Sequence, residues 1–376
     1  MTLGRGKARG LVGGVLAAAT AWPLWAQAAA WPQLKVSTFG SLVGGQILGG
    51  RSLGHSDELQ EELPRYIADW ANWGTYPRSA TLVPESRVGV QATLRLQENL
   101  AFSGQLVSRG TDPKPDLQWA YLAWGLGDDW EVQLGRKRVP LYYYSDFQDV
   151  GYAYPWISPP PELYGWEVTN FNGGSLRYRA LLGATTVSAT VFAGQETVRD
   201  SRFMRSTGQR HTDVSWDRIR GAVLEASREA LTVRGVYLRA DSATRDMDDP
   251  ANDWQERMKA YGLAVNLDLG SWFLLSEAGL NVRHGGGLYY DTYGCSLGLG
   301  HRRGRWTALV NYARLWGRTD DATYDPLSNG RPSVTLRCDL SNRLALKAQI
   351  DRYTEFNELT YVGNATVFRI SLDWLF

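Results

Sequence analysis

The sequence predicts an all-β chain that closes into a transmembrane, antiparallel up-and-down barrel of about sixteen strands. Three observations predict it. Segments of about ten residues alternate apolar and polar side chains, their connections alternate between tight turns and longer loops, and aromatic residues gather near the segment ends.

Composition sets the frame. The chain has 376 residues, with 40 Gly, 16 Trp and 19 Tyr but only 2 Cys, 4 Met and 4 His, a balance that suits a strand-rich exported protein. A formal net charge of +1 gives no basic excess to hold a nucleic-acid backbone. At the N-terminus Arg5, Lys7 and Arg9 precede an apolar run from Leu11 to about Trp25 and then Ala26–Ala30, the layout of a secretory signal. Residues 1–30 are therefore expected to be a cleaved signal peptide and 31–376 a single barrel domain. Past the signal, no apolar run reaches the roughly 18 to 20 residues of a spanning helix, so a membrane could be crossed only by a closed barrel.

The strands follow in order. They are expected to begin near Leu34, Glu85, Ala101, Leu117, Trp130, Ser175, Ala184, Asp217, Leu231, Gln255, Trp272, Leu288, Arg305, Pro332, Arg343 and Asn364. Alternation is clearest in three of them. Val88, Val90, Ala92, Leu94 and Leu96 alternate with Arg87, Gly89, Gln91, Thr93, Arg95 and Gln97. The same pattern recurs in Ser333–Ser341 and Arg343–Tyr353. The stretch from Asp217 to Glu229 fits neither register, because Arg218, Arg220 and Arg228 share one face and Glu225 the other. Tight turns fall at 98–100, 127–129, 182–183, 229–230, 269–271, 301–304 and 341–342, and long loops at 49–84, 139–174, 195–216, 241–254, 318–331 and 354–363. Trp119, Tyr121, Trp124, Trp130, Trp272, Trp306, Trp316 and Trp374 lie near strand ends and read as girdles at the headgroup level. Cys295 and Cys338 read as small apolar residues.

Energetics assigns the faces. An Arg or Lys facing lipid at midplane costs roughly 2–4 kcal/mol, and a reversed register would place Arg343 and Lys347 of one strand there, so the polar set must face the lumen. That set is biased to basic residues: Arg87, Arg95, Arg177, Arg179, Arg234, Arg283, Arg337, Arg343, Lys347 and Arg369 against Asp268, Glu277, Asp339, Asp351 and Asp373.

The last strand puts Phe368, Ile370, Leu372, Trp374 and Phe376 on one face and resembles the C-terminal signature of Gram-negative outer-membrane barrels. With the strand pattern, it makes the whole mature chain similar to the sixteen-stranded porins. That resemblance implies an outer-membrane location, recognition of Phe376 by the barrel-assembly machinery, contact with outer-membrane lipid, a homotrimer, no cofactor, and a third external loop folded into the pore. The corresponding segment is Pro140–Gly174, carrying Asp146 and Asp149; the second external connection, Thr111–Asp116, is shorter than the latching loop of that family. The expected activity is passive diffusion of small hydrophilic solutes with a lean to anions, through a pore lined by Arg87, Arg95, Arg177, Arg179, Arg337, Arg343 and Lys347 and narrowed by Asp146 and Asp149. Two alternatives stand beside it: a channel selective for sugars or aromatic acids, guided by the loop tyrosines and Trp156, or a structural or adhesion barrel plugged by its own loops. An enzyme is not expected, since His55, His211, His284 and His301 fall in predicted loops or turns and show no metal-ligand or nucleophile-base spacing.

Overall fold

The computed structural model describes residues 31–51, 64–206, 209, 211–322, 324–357 and 363–376; the expected signal peptide 1–30 and His55 lie outside the described residues. Sixteen antiparallel strands close into one barrel, each hydrogen-bonded to its sequence neighbour in the wall. The first strand is β1 (Gln33–Arg51) and the last β18 (Asn364–Leu375), and these two pair to close the ring, Ser41 opposite Asp373. Between them the wall runs through β4 (Arg87–Gln97), β5 (Leu100–Arg109), β6 (Asp112–Leu126), β7 (Trp130–Arg138), β8 (Asn170–Leu182) and β9 (Thr185–Val198). It continues with β10 (Thr212–Arg228), β11 (Leu231–Asp246), β12 (Trp254–Asp268), β13 (Trp272–Gly285), β14 (Leu288–Arg303), β15 (Trp306–Thr319), β16 (Asn329–Ser341) and β17 (Leu344–Glu355).

The wall is inverted relative to a water-soluble protein. Val334, Leu336, Ile350, Phe368 and Ile370 are exposed on the outside, whereas Lys347, Asp351, Arg369 and Asp373 are almost wholly buried inside. Such a continuous apolar exterior matches hydrocarbon and not water. On β15 the outward Trp306 and Trp316 stand ten positions apart, roughly 25 Å at the usual rise and tilt, which is the height of the apolar band such barrels present to lipid.

Strand starts agree with the alternation in the sequence to within five residues, the largest differences being at Asp112, Asn170 and Thr212, and two features do not follow from it. First, β10 carries a bulge: Asp217 pairs with Asp241 but Arg220 with Arg239, and the intervening Arg218 adopts φ 51°. The extra residue shifts the parity, so Arg220 faces out while Glu225 faces in toward Arg234 at 3.4 Å, which resolves the conflict between the two registers. Second, the first long loop contains a small hairpin of its own, β2 (Tyr66–Asp69) with β3 (Gly74–Tyr76). Three further expectations are corrected. Trp119 and Tyr121 lie opposite Gln105 and Ser103, on the inward face, and do not join a girdle. His284 and His301 are strand residues, at the long-loop end of β13 and the short-turn end of β14, because both strands extend into what read as loop and turn. Arg343 lies in the exposed turn between β16 and β17, since the last ladder pair before that turn is Ser341 with Leu344, and it does not line the wall. Cys295 and Cys338 are free and occupy different, non-adjacent strands.

Candidate functional site: the lumen and its inward loop

The connection from β7 to β8, residues 139–169, turns into the barrel and packs there. Its tyrosines form its own core: Tyr142, Tyr144, Tyr154 and Trp156 are all at most 6 % exposed, with ring centroids 5.2 Å apart for Tyr142–Tyr164 and for Tyr144–Trp156. Rings turned inward in this way offer no track of faces to a passing solute. Trp166 and Trp216 meet edge-to-face beside them, so part of the tryptophan complement fills the lumen and does not mark the membrane edge.

The wall from β13 to β17 grips the loop at several points. Lys347 donates to the carbonyls of Gly151 at 2.7 Å and Trp156 at 2.5 Å, and Arg337 donates to those of Tyr152 at 2.9 Å and Tyr154 at 3.0 Å. The Ile157 amide donates to Gln349 at 3.0 Å. Glu277 accepts from the Tyr143 amide and the Tyr164 hydroxyl, both at 2.6 Å. Arg331 forms a bidentate pair with Glu162 of the loop's short helix Pro161–Tyr164 (2.8 and 2.9 Å) and reaches Asp351 at 2.6 Å. Asp351 also holds Arg369 at 2.7 Å, and Arg369 holds Glu85 at 2.7 Å. This alternating chain gives each of its three buried carboxylates and two guanidinium groups an oppositely charged partner, the condition under which buried ions are tolerable.

The β2–β3 hairpin covers the chain from above. Tyr76 donates to Glu85 at 2.8 Å, Tyr66 lies 5.4 Å over the Arg369 guanidinium, and Tyr353 abuts Tyr66 edge-on. Between this hairpin and the inward loop remains a cavity of about 20 Å³, room for about one water.

The loop acids separate. Asp149 turns into the wall, where Arg109 meets one carboxylate oxygen at 2.6 Å and Arg138 the other; its backbone carbonyl accepts from Arg87 at 2.9 Å. Burial alone would raise its pKa, yet the guanidinium groups of Arg109, Arg138 and Arg87 outweigh burial and hold the carboxyl down at about 2. Asp146, on the short 3-10 turn Ser145–Phe147, stays half-exposed. It faces the uncovered sector of wall, close enough to Lys137 and Tyr121 to act on them electrostatically. Arg95, Glu131, Lys137, Arg177 and Arg179 are likewise half-exposed there, with Arg177 3.9 Å from Glu131.

The residues expected in the pore therefore divide. Arg95, Arg177, Arg179 and Asp146 stand around the uncovered sector; Arg87, Asp149, Arg337 and Lys347 anchor the loop; Arg343 is elsewhere. Sequence reasoning missed Glu85, Glu162 and Arg331 because they fall in or beside loops, where no periodicity points to a partner. It also missed Glu131 and Lys137, which alternate correctly with Gln133 and were legible by parity. Among the described residues no group of His, Cys, Asp and Glu is placed to hold a metal ion.

No family model matches the chain, and no curated protein sequence matches it. Its fold does match solved structures. Over 91 % of this chain and 99 % of the other, it superposes on a loop-deletion mutant of OmpT, an outer membrane protein of Vibrio cholerae, with TM-score 0.58 and 12 % identity. The outer membrane channel DcaP of Acinetobacter baumannii gives TM-score 0.58 and 10 % identity over 91 % of this chain and 97 % of that one. The anion-selective porin from Comamonas acidovorans gives 0.57 and 14 % over 92 % and 100 %. Identities this low establish a shared architecture: the chain has the barrel fold of outer-membrane porins.

Proposed function

We propose that the chain is an outer-membrane channel of the porin type, through which small hydrophilic solutes, anions somewhat better than cations, diffuse passively. The observation that carries this reading is the uncovered sector of the lumen, where Arg95, Lys137, Arg177 and Arg179 stand with Glu131 on the wall and Asp146 comes toward Lys137 from the loop. Opposed charges across a narrow wet passage order polar solutes, and a basic excess raises the local concentration of anions. The neighbours support the reading: one is described as a channel and another as an anion-selective porin. One neighbour also exists in a trimer form, which supports a homotrimer here, although the β5–β6 connection is reduced to Gly110–Thr111 and supplies no long latch. Export by the signal at 1–30 and recognition of Phe376 by the assembly machinery complete the proposal.

A competing reading, a barrel sealed by its own loop, draws on how much of the lumen residues 139–169 occupy. Planar-bilayer recording in a salt gradient separates the two. Discrete conductance steps with an anion-favouring reversal potential are expected; silence would establish the plug, and a cation-favouring potential would refute the assigned selectivity.

A further inference from the structure

The rings of the inward loop are turned into its own core, but two rings on the uncovered wall are not. Trp119 and Tyr121 of β6 face the lumen, half-buried, with centroids 6.1 Å apart and planes inclined at 61°, so that together they form a corner. Such a corner accepts a third ring, face against one member and edge against the other. The two stand seven and five positions from the short-turn end of the strand at Leu126, roughly 12 to 18 Å up the wall at ordinary rise and tilt, which is mid-channel and not a membrane edge.

Their direction is set by a local device. Gln105 pairs with Trp119, but the next residue of β5, Leu106, pairs with Leu117, so Gln118 is an extra residue in β6. Leu117 is exposed on the outer face, and without the extra residue Trp119 and Tyr121 would follow it toward lipid, where such rings serve as a girdle. The bulge turns them into the passage instead, as bulges beside functional sites re-aim side chains. Next to Tyr121 the wall is bare, because Gly135, Gly173 and Gly194 continue its row across β7, β8 and β9. A Cβ at these three positions would fall 2.2, 2.0 and 2.4 Å from a carbonyl oxygen of a neighbouring strand, so only glycine fits and no side chain can grow toward the rings from that row.

The charge at this corner is a cation. The Lys137 ammonium stands 5.6 Å from the centre of the Tyr121 ring and donates to Ser175 at 3.1 Å, and among the described residues no carboxylate is in ion-pair contact with it. The nearest neutral polar side chains are bonded to one another: Gln105 donates to Gln91 at 3.1 Å, and the hydroxyls of Thr93 and Ser103 are joined at 3.1 Å. Two ring faces with an ammonium beside them, and neighbouring polar groups already engaged, suit a flat acid better than a polyhydroxylated sugar.

We infer that Trp119, Tyr121 and Lys137 form a subsite for aromatic carboxylates, the ring of the solute lying in the corner and its carboxylate on the Lys137 ammonium. The inference rests on the channel reading and narrows it, by naming the solutes that dwell longest in the passage. Two attractions act together there, contact between rings and a charge-assisted hydrogen bond. A saturated ring forgoes the first and an uncharged alcohol the second.

The test titrates the full mature barrel in detergent with benzoate, cyclohexanecarboxylate and benzyl alcohol, binding being followed by ligand-observed NMR. Wild-type protein is expected to bind benzoate about fivefold or more tightly than either of the others. Lys137→Gln is expected to remove the advantage over benzyl alcohol. Trp119→Leu with Tyr121→Leu is expected to remove the advantage over cyclohexanecarboxylate, while Trp119→Phe with Tyr121→Phe keeps it. Equal affinity of wild type for the three probes would overturn the proposal whether or not any variant folds. So would displacement of benzoate by millimolar glucose, which would assign the corner to sugars, and so would an unchanged benzoate preference in the leucine pair, which would place the ligand elsewhere. Because binding is read without a membrane, this proposal and the channel fail separately. A barrel with the expected binding pattern that passes no current keeps the subsite and loses the channel, and one that conducts but treats the three probes alike keeps the channel and loses the subsite.

Discussion

The two sides of the lumen are built from the same alternating strands and end in opposite states. Along β13–β18 the inward charges meet buried polar partners and are capped by the inward loop and the β2–β3 hairpin, so that Lys347, Asp351 and Arg369 are at most 1 % exposed. Along β4–β8 Arg87, Arg109 and Arg138 hold Asp149 of the same loop, but nearer the short turns Arg95, Glu131 and Arg177 stay half-exposed, and Asp146 comes toward Lys137 beside them. Strand polarity alone therefore does not make a passage. What separates the two states is whether another segment packs over the charge, and a wall left uncovered keeps its water.

This contrast can be broken most forcefully from the sealed side. Replacing Arg331 by Met leaves Glu162 and Asp351 without their shared cation in a buried setting, a loss of about 3–5 kcal/mol for such a pair. The expected result is a lower unfolding temperature in detergent together with larger, noisier conductance as the loop leaves the wall. Gly279→Val should have a similar but smaller effect, since a side chain there collides with Tyr142; conductance is expected to rise severalfold while the barrel remains heat-resistant on gels.

Acid offers a reversible version. Because Asp149 titrates at about 2 in the folded chain and at about 4 unfolded, its contribution is fully present above pH ~4 and disappears as pH falls toward 2. Protease cleavage within 139–169 is expected to accelerate in that window, and Asp149→Asn should give fast cleavage already at neutral pH. On the open side, effects should be confined to selectivity: Lys137→Gln with Arg177→Gln is expected to move the reversal potential toward cations and Asp146→Asn toward anions, each with an unchanged melting temperature. At the small end, Arg343→Ala should alter neither conductance nor selectivity, because that side chain lies in an exposed turn.

How much of this was legible follows the same division. Alternation located the sixteen wall strands because each has one face in lipid and one in the lumen, a contrast renewed at every second residue. Nothing comparable marks β2 and β3, which are four and three residues long and mostly buried, so their segment read as a plain loop. The bulge at Arg218 escaped for a related reason: one inserted residue reverses the parity without altering composition. In the inward loop, Asp146 and Asp149 differ only by their place around two 3-10 turns, and no period distinguishes the acid left half-exposed from the one that meets arginine. Arg331, whose side chain bridges two acids, lay just before Pro332 in what read as loop, although its parity with Ser333 and Thr335 already pointed inward.

One row of the wall has a consequence for how such a barrel changes over generations. Gly262, Gly279 and Gly294 stand directly opposite one another on β12, β13 and β14, and Leu141, Tyr142 and Glu162 lie against them where side chains would otherwise project. The berth for the loop is thus carved into the scaffold by omission and does not depend on what the loop displays on its far side. Residues such as Asp146 are free to drift, retuning what the molecule admits, while the mooring that keeps the loop in place stays fixed in the strands behind it.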